Sequence, residues 1–376
     1  MILDNPCNPD WRVLKEARSL AEAGLAIRIL AWDRTGLLPK EEEINGVRIS
    51  RIRAPSRHRG PLGRLATACG YWIHVTKTAL AESFDAVHSH DLPDLPVGVF
   101  LSLWKHRPLV YDAHELYWMG TFAPRPRLIA VLERLGERVL MTRAQYVITA
   151  SEHLASYFRT VHPRVKVVGN WYDPMVVDRD SGQQLRHELG IPPDAFCLVY
   201  AGSLGPERNH QLLIDYAAAY PDTAVVVAGK GGVSEATFRS AAERLPNLWF
   251  LGWRTDPSHV YGLADALYYA LREESQYRSI SSPNNLFISI ATGIPLVTTA
   301  AGDAGSIIAE TGAGELLRPA TVAGLRRAVI ELCDPMAKAA ILDRLSSLRA
   351  RYTWKIAAAP LLDIYANLLD STSESK

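Results

Sequence analysis

The feature that most constrains this chain is an alternation of short apolar runs with helix-length amphipathic stretches that stops near the middle and then begins again. LAIRILA (Leu25 to Ala31), DAVHSH (Asp85 to His90), PLVYDA (Pro108 to Ala113), YVITA (Tyr146 to Ala150) and VKVVGN (Val165 to Asn170) read as buried strands. Enough chain follows each for a crossover helix, and that alternation predicts a parallel sheet covered on both faces. After Trp171 the sequence turns polar through DPMVVDRDSGQQ. A second series follows in CLVYAGS (Cys197 to Ser203), AVVVAG (Ala224 to Gly229), LWFLGW (Leu248 to Trp253), ALYYA (Ala266 to Ala270) and PLVTTA (Pro295 to Ala300). The expected architecture is α/β, with two Rossmann-like doubly wound domains facing an interdomain cleft. Their spans are 1–172 and 173–352, and residues 353–376 form a terminal helix, kinked at Pro360, that returns to the first domain.

Composition agrees with two ordinary cores. The 376 residues are 48% hydrophobic and 22% charged, which excludes disordered, collagen-like and disulfide-scaffold chains. Cys7, Cys69, Cys197 and Cys333 form no Cys-x-x-Cys pair and read as reduced, mostly buried thiols. No run approaches the roughly 18 apolar residues of a membrane span, and Asp4 and Asp10 sit where a signal peptide would be basic or apolar. A cytoplasmic protein is expected.

The net charge of +1 conceals one asymmetry. RISRIRAPSRHRGPLGR carries Arg48, Arg51, Arg53, Arg57, Arg59 and Arg64 with His58, and no acid follows before Glu82. Such a run suits peripheral contact with an anionic membrane or a phosphorylated substrate; a solvated arginine-rich loop is the alternative. No finger spacing or aromatic sheet motif accompanies it, so nucleic acid is not an expected partner.

Nine segments then occur in a family order: NPDWRVLKEARSLAEAGLAIRIL (Asn8 to Leu30), DAVHSHDLPDLPVG (Asp85 to Gly98), VYDAHELY (Val110 to Tyr117), VITASEHL (Val147 to Leu154), VYAGSLGPERN (Val199 to Asn209), VVVAGKGG (Val225 to Gly232), FLGW (Phe250 to Trp253), YGLADA (Tyr261 to Ala266) and SPNNLFISIATGIPLV (Ser282 to Val297). In that order the chain resembles the retaining glycosyltransferases of family 4, which have the GT-B fold. The resemblance implies a metal-independent hexosyltransferase moving a sugar from a nucleotide-sugar donor to a polysaccharide, glycolipid or other glycoside, with no cofactor.

Residue by residue, the resemblance assigns the donor to the second domain. The diphosphate would lie at a helix start formed by Ser282, Pro283, Asn284, Asn285 and Leu286, where free N–H groups and the helix dipole favour an anion. Arg208 matches the basic residue on the diphosphate. Gly202 and Ser203 match a glycine and a usual arginine, so one positive charge is lost. Gly229, Gly231 and Gly232 would admit a base or ribose closely, and their spacing is not a dinucleotide fingerprint. Trp253 and Arg254 match the segment edging the base.

On the acceptor side His114 matches the histidine beside the transferred sugar. Asp112 and Glu115 flank it, and His88, His90 and Asp91 close the neighbouring strand, types that hydrogen-bond hydroxyls. HSHD also admits a metal reading, but no confirming ligand spacing follows and no metal is expected.

Two departures bear on activity. The family's paired glutamates fall at Ile280 and Ile288, and isoleucine accepts no hydrogen bond; Glu273 or Glu274 in the preceding loop would have to compensate. These departures keep open an alternative, a non-catalytic GT-B binding or partner protein. A short first segment, MILDN, predicts a truncated first strand, and DRD (Asp178 to Asp180) is a metal-like pair expected only in the linker.

Overall fold

Buried aliphatic runs form the strands that the alternation requires, and they sort into two sheets. The computed structural model describes residues 1–54, 61–120, 126–254 and 256–373, the side chains of 61, 62, 64, 65 and 370–373 excepted. The chain divides into two compact units, Met1–Gly169 with Ala357–Lys376, and Asn170–Ile356.

In the first unit the strands are β1 (Ile2–Leu3), β2 (Ile27–Asp33), β3 (Glu41–Ile44), β4 (Val47–Arg53), β5 (Val87–His90), β6 (Leu109–Ala113), β7 (Tyr146–Thr149) and β8 (Val165–Val167). Their order is β3-β4-β2-β1-β5-β6-β7-β8, parallel throughout except that β3 runs antiparallel to β4. That β3–β4 hairpin was not expected, although its signal is present. Asn45 and Gly46, with φ of 51° and 77°, make a two-residue turn between the paired Ile44 and Val47. Val47 and Ile49 are buried in the same core as Val13, Ala17 and Ile29.

The hairpin alters the reading of the arginine run. Arg51 is a buried core residue whose guanidinium donates to the carbonyls of Pro6, Pro39 and Cys7 and pairs with Glu42 at 2.6 Å. Arg48 pairs with Glu41, and Arg53 donates to the Leu38 carbonyl. A buried arginine bonded to carbonyls is unable to face a lipid headgroup. Arg57, His58, Arg59 and the Arg64 side chain lie outside the described residues.

In the second unit β9 (Phe196–Ser203), β10 (Thr223–Lys230), β11 (Leu248–Gly252), β12 (Ala266–Tyr269), β13 (Leu296–Thr299) and β14 (Gly314–Leu317) stand in the parallel order β11-β10-β9-β12-β13-β14. β14 escapes the sequence pattern because GELL has two half-buried residues and no apolar run. Tyr200, Tyr216, Tyr268 and Phe238 are among the largest side chains fully buried in this core.

Both sheets reverse direction of growth beside their first strand, between β1 and β5 and between β9 and β12. Crevices at such points, beyond the strand C-terminal ends, are where open α/β sheets bind ligands. Asp178 of the DRD triplet caps the helix Arg179–Glu188, accepting from the Ser181 amide at 3.0 Å, so it serves local structure. The final helix, Trp354–Ser373, contains Pro360. All four cysteines are free; Cys7 and Cys197 are buried, while Cys69 and Cys333 are exposed, contrary to the expectation of mostly buried thiols. Among the described residues no helix is long and apolar enough to cross a membrane.

Candidate functional site

The first unit gathers charge beyond β5 and β6. Strand period two puts His88 and His90 on one face of β5, and register sets His90 against Asp112 of β6. The two rings stack with centroids 4.4 Å apart, and His90 Nδ1 lies 3.2 Å from Asp112 Oδ2. The helix Trp11–Glu22, capped by Asp10 on the Val13 amide, delivers Arg12, which donates to Asp112 Oδ2 from Nε at 3.1 Å and to Oδ1 from Nη2 at 2.8 Å. Arg12 Nη1 also donates to the Val168 carbonyl at 2.6 Å, and Glu16, one turn along, lies 3.1 Å from Nη2.

His114 is where this network meets the surface. Its Nε2 lies 2.8 Å from Asp112 Oδ2, its Nδ1 3.2 Å from Asp91 Oδ2, and its amide donates to Asp91 Oδ1. Burial favours neutral histidine, but Asp91 and Asp112 outweigh it and raise His114 to about 10. Burial pushes Asp112 up, and Arg12 and His114 overcome that, holding its carboxyl well below the usual range. Asp91 is raised by burial to about 7, with His114 opposing the rise. His114 is therefore an imidazolium at neutral pH, fixed between two carboxyls.

The expectation that His88, His90 and Asp112 line an acceptor surface is corrected here. All three are at most 1% exposed, whereas the His114 and Asp91 side chains are 20% exposed. Parallel pairing places β5 and β6 inside the sheet, where His90 and Asp112 contact His114 and His88 stacks on His90. Glu115 is half-buried beside it. His88 Nδ1 is bonded to the Tyr365 hydroxyl at 3.0 Å, and burial lowers its pKa well below the ordinary value. Glu16, His88, His90 and Asp112 each offer an atom within 4.8 Å of one another, a metal-like grouping. Arg12, His90 and His114 already engage the Asp112 oxygens.

Arg12, Glu16 and Tyr365 were not anticipated. Their signal lies in helical spacing: Arg12 and Glu16 share the buried face of Val13, Ala17 and Leu20. A charged pair on an apolar stripe needs a buried partner.

In the second unit several donor candidates lie at or beyond the C-terminal ends of β9, β10 and β12. Register aligns Gly229 with Gly202 and Lys230 with Ser203. Asn285 is buried and donates to the Ala201 carbonyl at 3.1 Å, tying the helix Asn284–Thr292 to β9. A Cβ on Gly229 would lie 2.3 Å from the Gly202 carbonyl oxygen, so only glycine permits this approach. Gly231, with φ of 113°, stands before the helix Gly232–Ala242, and its amide donates to Glu235 at 3.1 Å.

Arg208 follows β9 in a segment bridged to Leu271 after β12, with the Asn209 amide donating to the Ala270 carbonyl at 2.9 Å. Its guanidinium lies over the Tyr269 ring, 4.5 Å from the centroid. Nε approaches Glu207 Oε1 at 3.2 Å without hydrogen-bonding geometry, and Nε and Nη1 are buried without a hydrogen-bond partner. Glu207 supplies a counter-charge at Nε, and the Nη1 donor is left without a hydrogen bond, which is costly for a buried group. A cavity of about 320 Å³ borders Arg208, Asn209, His210 and Arg272. Burial, with Arg208 beside it, lowers His210 to about 3, so this histidine is neutral.

The helix start predicted at Ser282 is present with one change: Pro283 is the extended N-cap residue, outside the first turn, and supplies no side-chain cap. Ser282 Oγ is buried without a partner. Asn284 is exposed, while the Leu286 side chain belongs to the core at 2% exposure and is removed from any ligand surface. Ser203, Arg254, Glu273 and Glu274 are exposed. The Arg272 amide donates to the Glu207 carbonyl, which sets Glu273 and Glu274 on the segment running beside Arg208. Half-exposed Trp253 is covered by Lys230, whose Nζ is 4.1 Å from the ring centroid. Lys230, Tyr269 and Glu207, which contact Trp253 and Arg208, do not stand out in the sequence, because a lysine ending a strand and a core tyrosine carry no distinctive spacing. Ile288 packs on the core, so its position is filled by apolar contact.

Residues 9–171 match the glycosyl transferase 4-like domain, and residues 195–334 match the glycosyl transferases group 1 domain. A D-inositol 3-phosphate glycosyltransferase from Stackebrandtia nassauensis is 24% identical, with 96% of this chain and 87% of the relative covered. Another from Catenulispora acidiphila is 24% identical over 95% and 89%. Among solved structures, sucrose-phosphate synthase from Thermosynechococcus elongatus superposes with a TM-score of 0.75 at 16% identity over 98% of both chains. HepE from Anabaena, solved with UDP-glucose, gives 0.74 at 20% identity over 97% of this chain and 98% of its own.

Proposed function

Because the chain belongs to the glycosyltransferases that join a 4-like domain to a group 1 domain in the GT-B fold, we propose that it moves a sugar from a nucleotide-sugar donor to a hydroxyl with retention of anomeric configuration. Uridine diphosphate sugars are the first donors to consider, given the ligand of the Anabaena neighbour. The acceptor is a polysaccharide, glycolipid or other glycoside, and the reaction takes place in the cytoplasm without a metal ion. The observation that carries the reading is the buried guanidinium of Arg208, whose Nε is ion-paired with Glu207 and whose Nη1 has no hydrogen-bond partner, in the same unit as the uncapped helix start behind Ser282.

The chemistry follows from charge. As the bond between anomeric carbon and phosphate oxygen breaks, negative charge grows on the departing diphosphate. Arg208 and the N-terminus of the helix Asn284–Thr292 favour it there, where preorganised donors act most strongly. The acceptor oxygen bonds to the same face of the sugar, and its proton passes to the departing phosphate oxygen. In the first unit His114, Asp91 and Glu115 offer hydrogen-bonding groups to orient hydroxyls. The network behind them fixes the His114 ring, as supporting groups must for a positioned site.

A second reading, a non-catalytic binding protein, is favoured by Ile280 and Ile288 at the glutamate positions. Incubating the protein with UDP-glucose and a panel of glycoside acceptors in chelator, with NMR of the product's anomeric proton, separates the two. An α-linked product supports retaining transfer, a β-linked product contradicts retention, and binding of the nucleotide with no product favours the second reading.

A further inference from the structure

The helix Arg127–Met141 is inside out. Its apolar stripe, Leu128, Val131, Leu132, Leu135 and Val139, recurs at helical spacing and faces solvent, with exposures from 53% at Val131 to 71% at Leu128. Its other side, which in a soluble helix would carry solvated charge, turns inward. Glu137 is fully buried and accepts from the Tyr111 hydroxyl at 2.7 Å, and Met141 is buried with it. Arg134 lies across the Trp118 ring and donates to the Tyr157 hydroxyl at 3.2 Å. The helix Asp91–Lys105, packed against it, adds the exposed Phe100, Leu103 and Trp104, whose two aromatic rings stack at 5.7 Å. An apolar surface of this extent marks an interaction site.

Charge around the stripe identifies the occupant. The helix carries Arg127, Arg134 and Arg138, and its two acids are drawn inward: Glu137 is buried, and Glu133 is half-buried with one carboxylate oxygen enclosed. A two-fold contact with a second copy would set these arginines against each other, with only the half-buried Glu133 of each helix to offset them. An anionic lipid surface meets both demands, taking the leucines and Trp104 into its acyl boundary and Arg127 and Arg138 among its headgroups. We propose that the face formed by Leu128, Val131, Leu132, Leu135, Val139 and Trp104 docks the protein on an anionic phospholipid surface. The described arginines of the 48–53 strand, already committed to internal contacts, are not part of that face.

Co-sedimentation of the full chain with phosphatidylcholine–phosphatidylglycerol vesicles tests this, with pure phosphatidylcholine vesicles and solution mass measurements alongside. The protein should partition to the anionic vesicles. Leu132→Glu with Leu135→Glu should lower partitioning on the order of a hundredfold, as loss of two buried apolar side chains implies. Leu342→Glu, in the second unit, should leave it unchanged. Arg127→Glu with Arg138→Glu should abolish the preference for anionic vesicles. A melting curve and UDP binding by each variant report folding, and Val139→Gln replaces the double variant if that one fails to fold. UDP binding without vesicle binding overturns the docking surface and leaves the transferase reading intact. A dimer that the double variant splits, with no vesicle binding, also overturns it and makes a second copy the occupant.

Discussion

Arg12 and Asp112, 100 positions apart, form a two-pronged buried ion pair in which Nε and Nη2 donate to the two carboxylate oxygens at 3.1 and 2.8 Å. The pair joins the first helix of the first unit to strand β6 and carries His114 on its far side. Two buried charges are tolerable because each is paired and hydrogen-bonded; removal of one strands the other.

Asp112→Asn should therefore destabilise the first unit by about 3–5 kcal/mol, because Arg12 and the His114 imidazolium lose their shared counter-charge. Denaturant unfolding followed by the two units' separate transitions checks this. A change confined to the second unit's transition would contradict it.

The charge state of His114 gives a pH dependence. Its folded pKa of about 10 lies above the ordinary value of 6.5, so the stability it contributes is complete below about pH 6.5 and is lost as pH rises through about 10. Nitrogen-15 NMR of the histidine side chains should show His114 still as an imidazolium at pH 8, with His88 neutral there. A His114 that titrates near its ordinary value would remove the two-carboxyl clamp.

Gly229→Ala should weaken nucleotide binding without unfolding the chain. A methyl 2.3 Å from the Gly202 carbonyl must push β10 and β9 apart where both end, at a cost of about 1–3 kcal/mol. Calorimetry with UDP would register that as roughly tenfold or greater loss of affinity. Unchanged affinity would place the nucleotide elsewhere.

The fold was largely legible because buried parallel strands are nearly continuous apolar runs; LVYDA and CLVYAGS announce themselves. The β3–β4 hairpin was hidden because its strand VRISRIR carries three arginines, one of them buried against carbonyls, and reads as a charged run despite the Asn45-Gly46 turn before it. Candidate residues stood out in the sequence where they fall at or just past the C-terminal ends of strands, as Gly229 and His114 do. Arg12 and Tyr365 were not, since only tertiary pairing across long separations gives them meaning. The inverted helix Arg127–Met141 shows the limit from the other direction: periodicity reveals an amphipathic helix, but the sheet beneath decides which face is turned outward.

A calorimetric titration of the protein with UDP and UDP-glucose, repeated with Arg208→Ala, tests the donor site most directly. Micromolar binding to the wild type should fall by at least about tenfold in the variant, since a charge-assisted contact to the diphosphate is removed. Equal binding by both proteins, or none by either across UDP, GDP, dTDP and their sugar conjugates, would contradict a donor site built on Arg208.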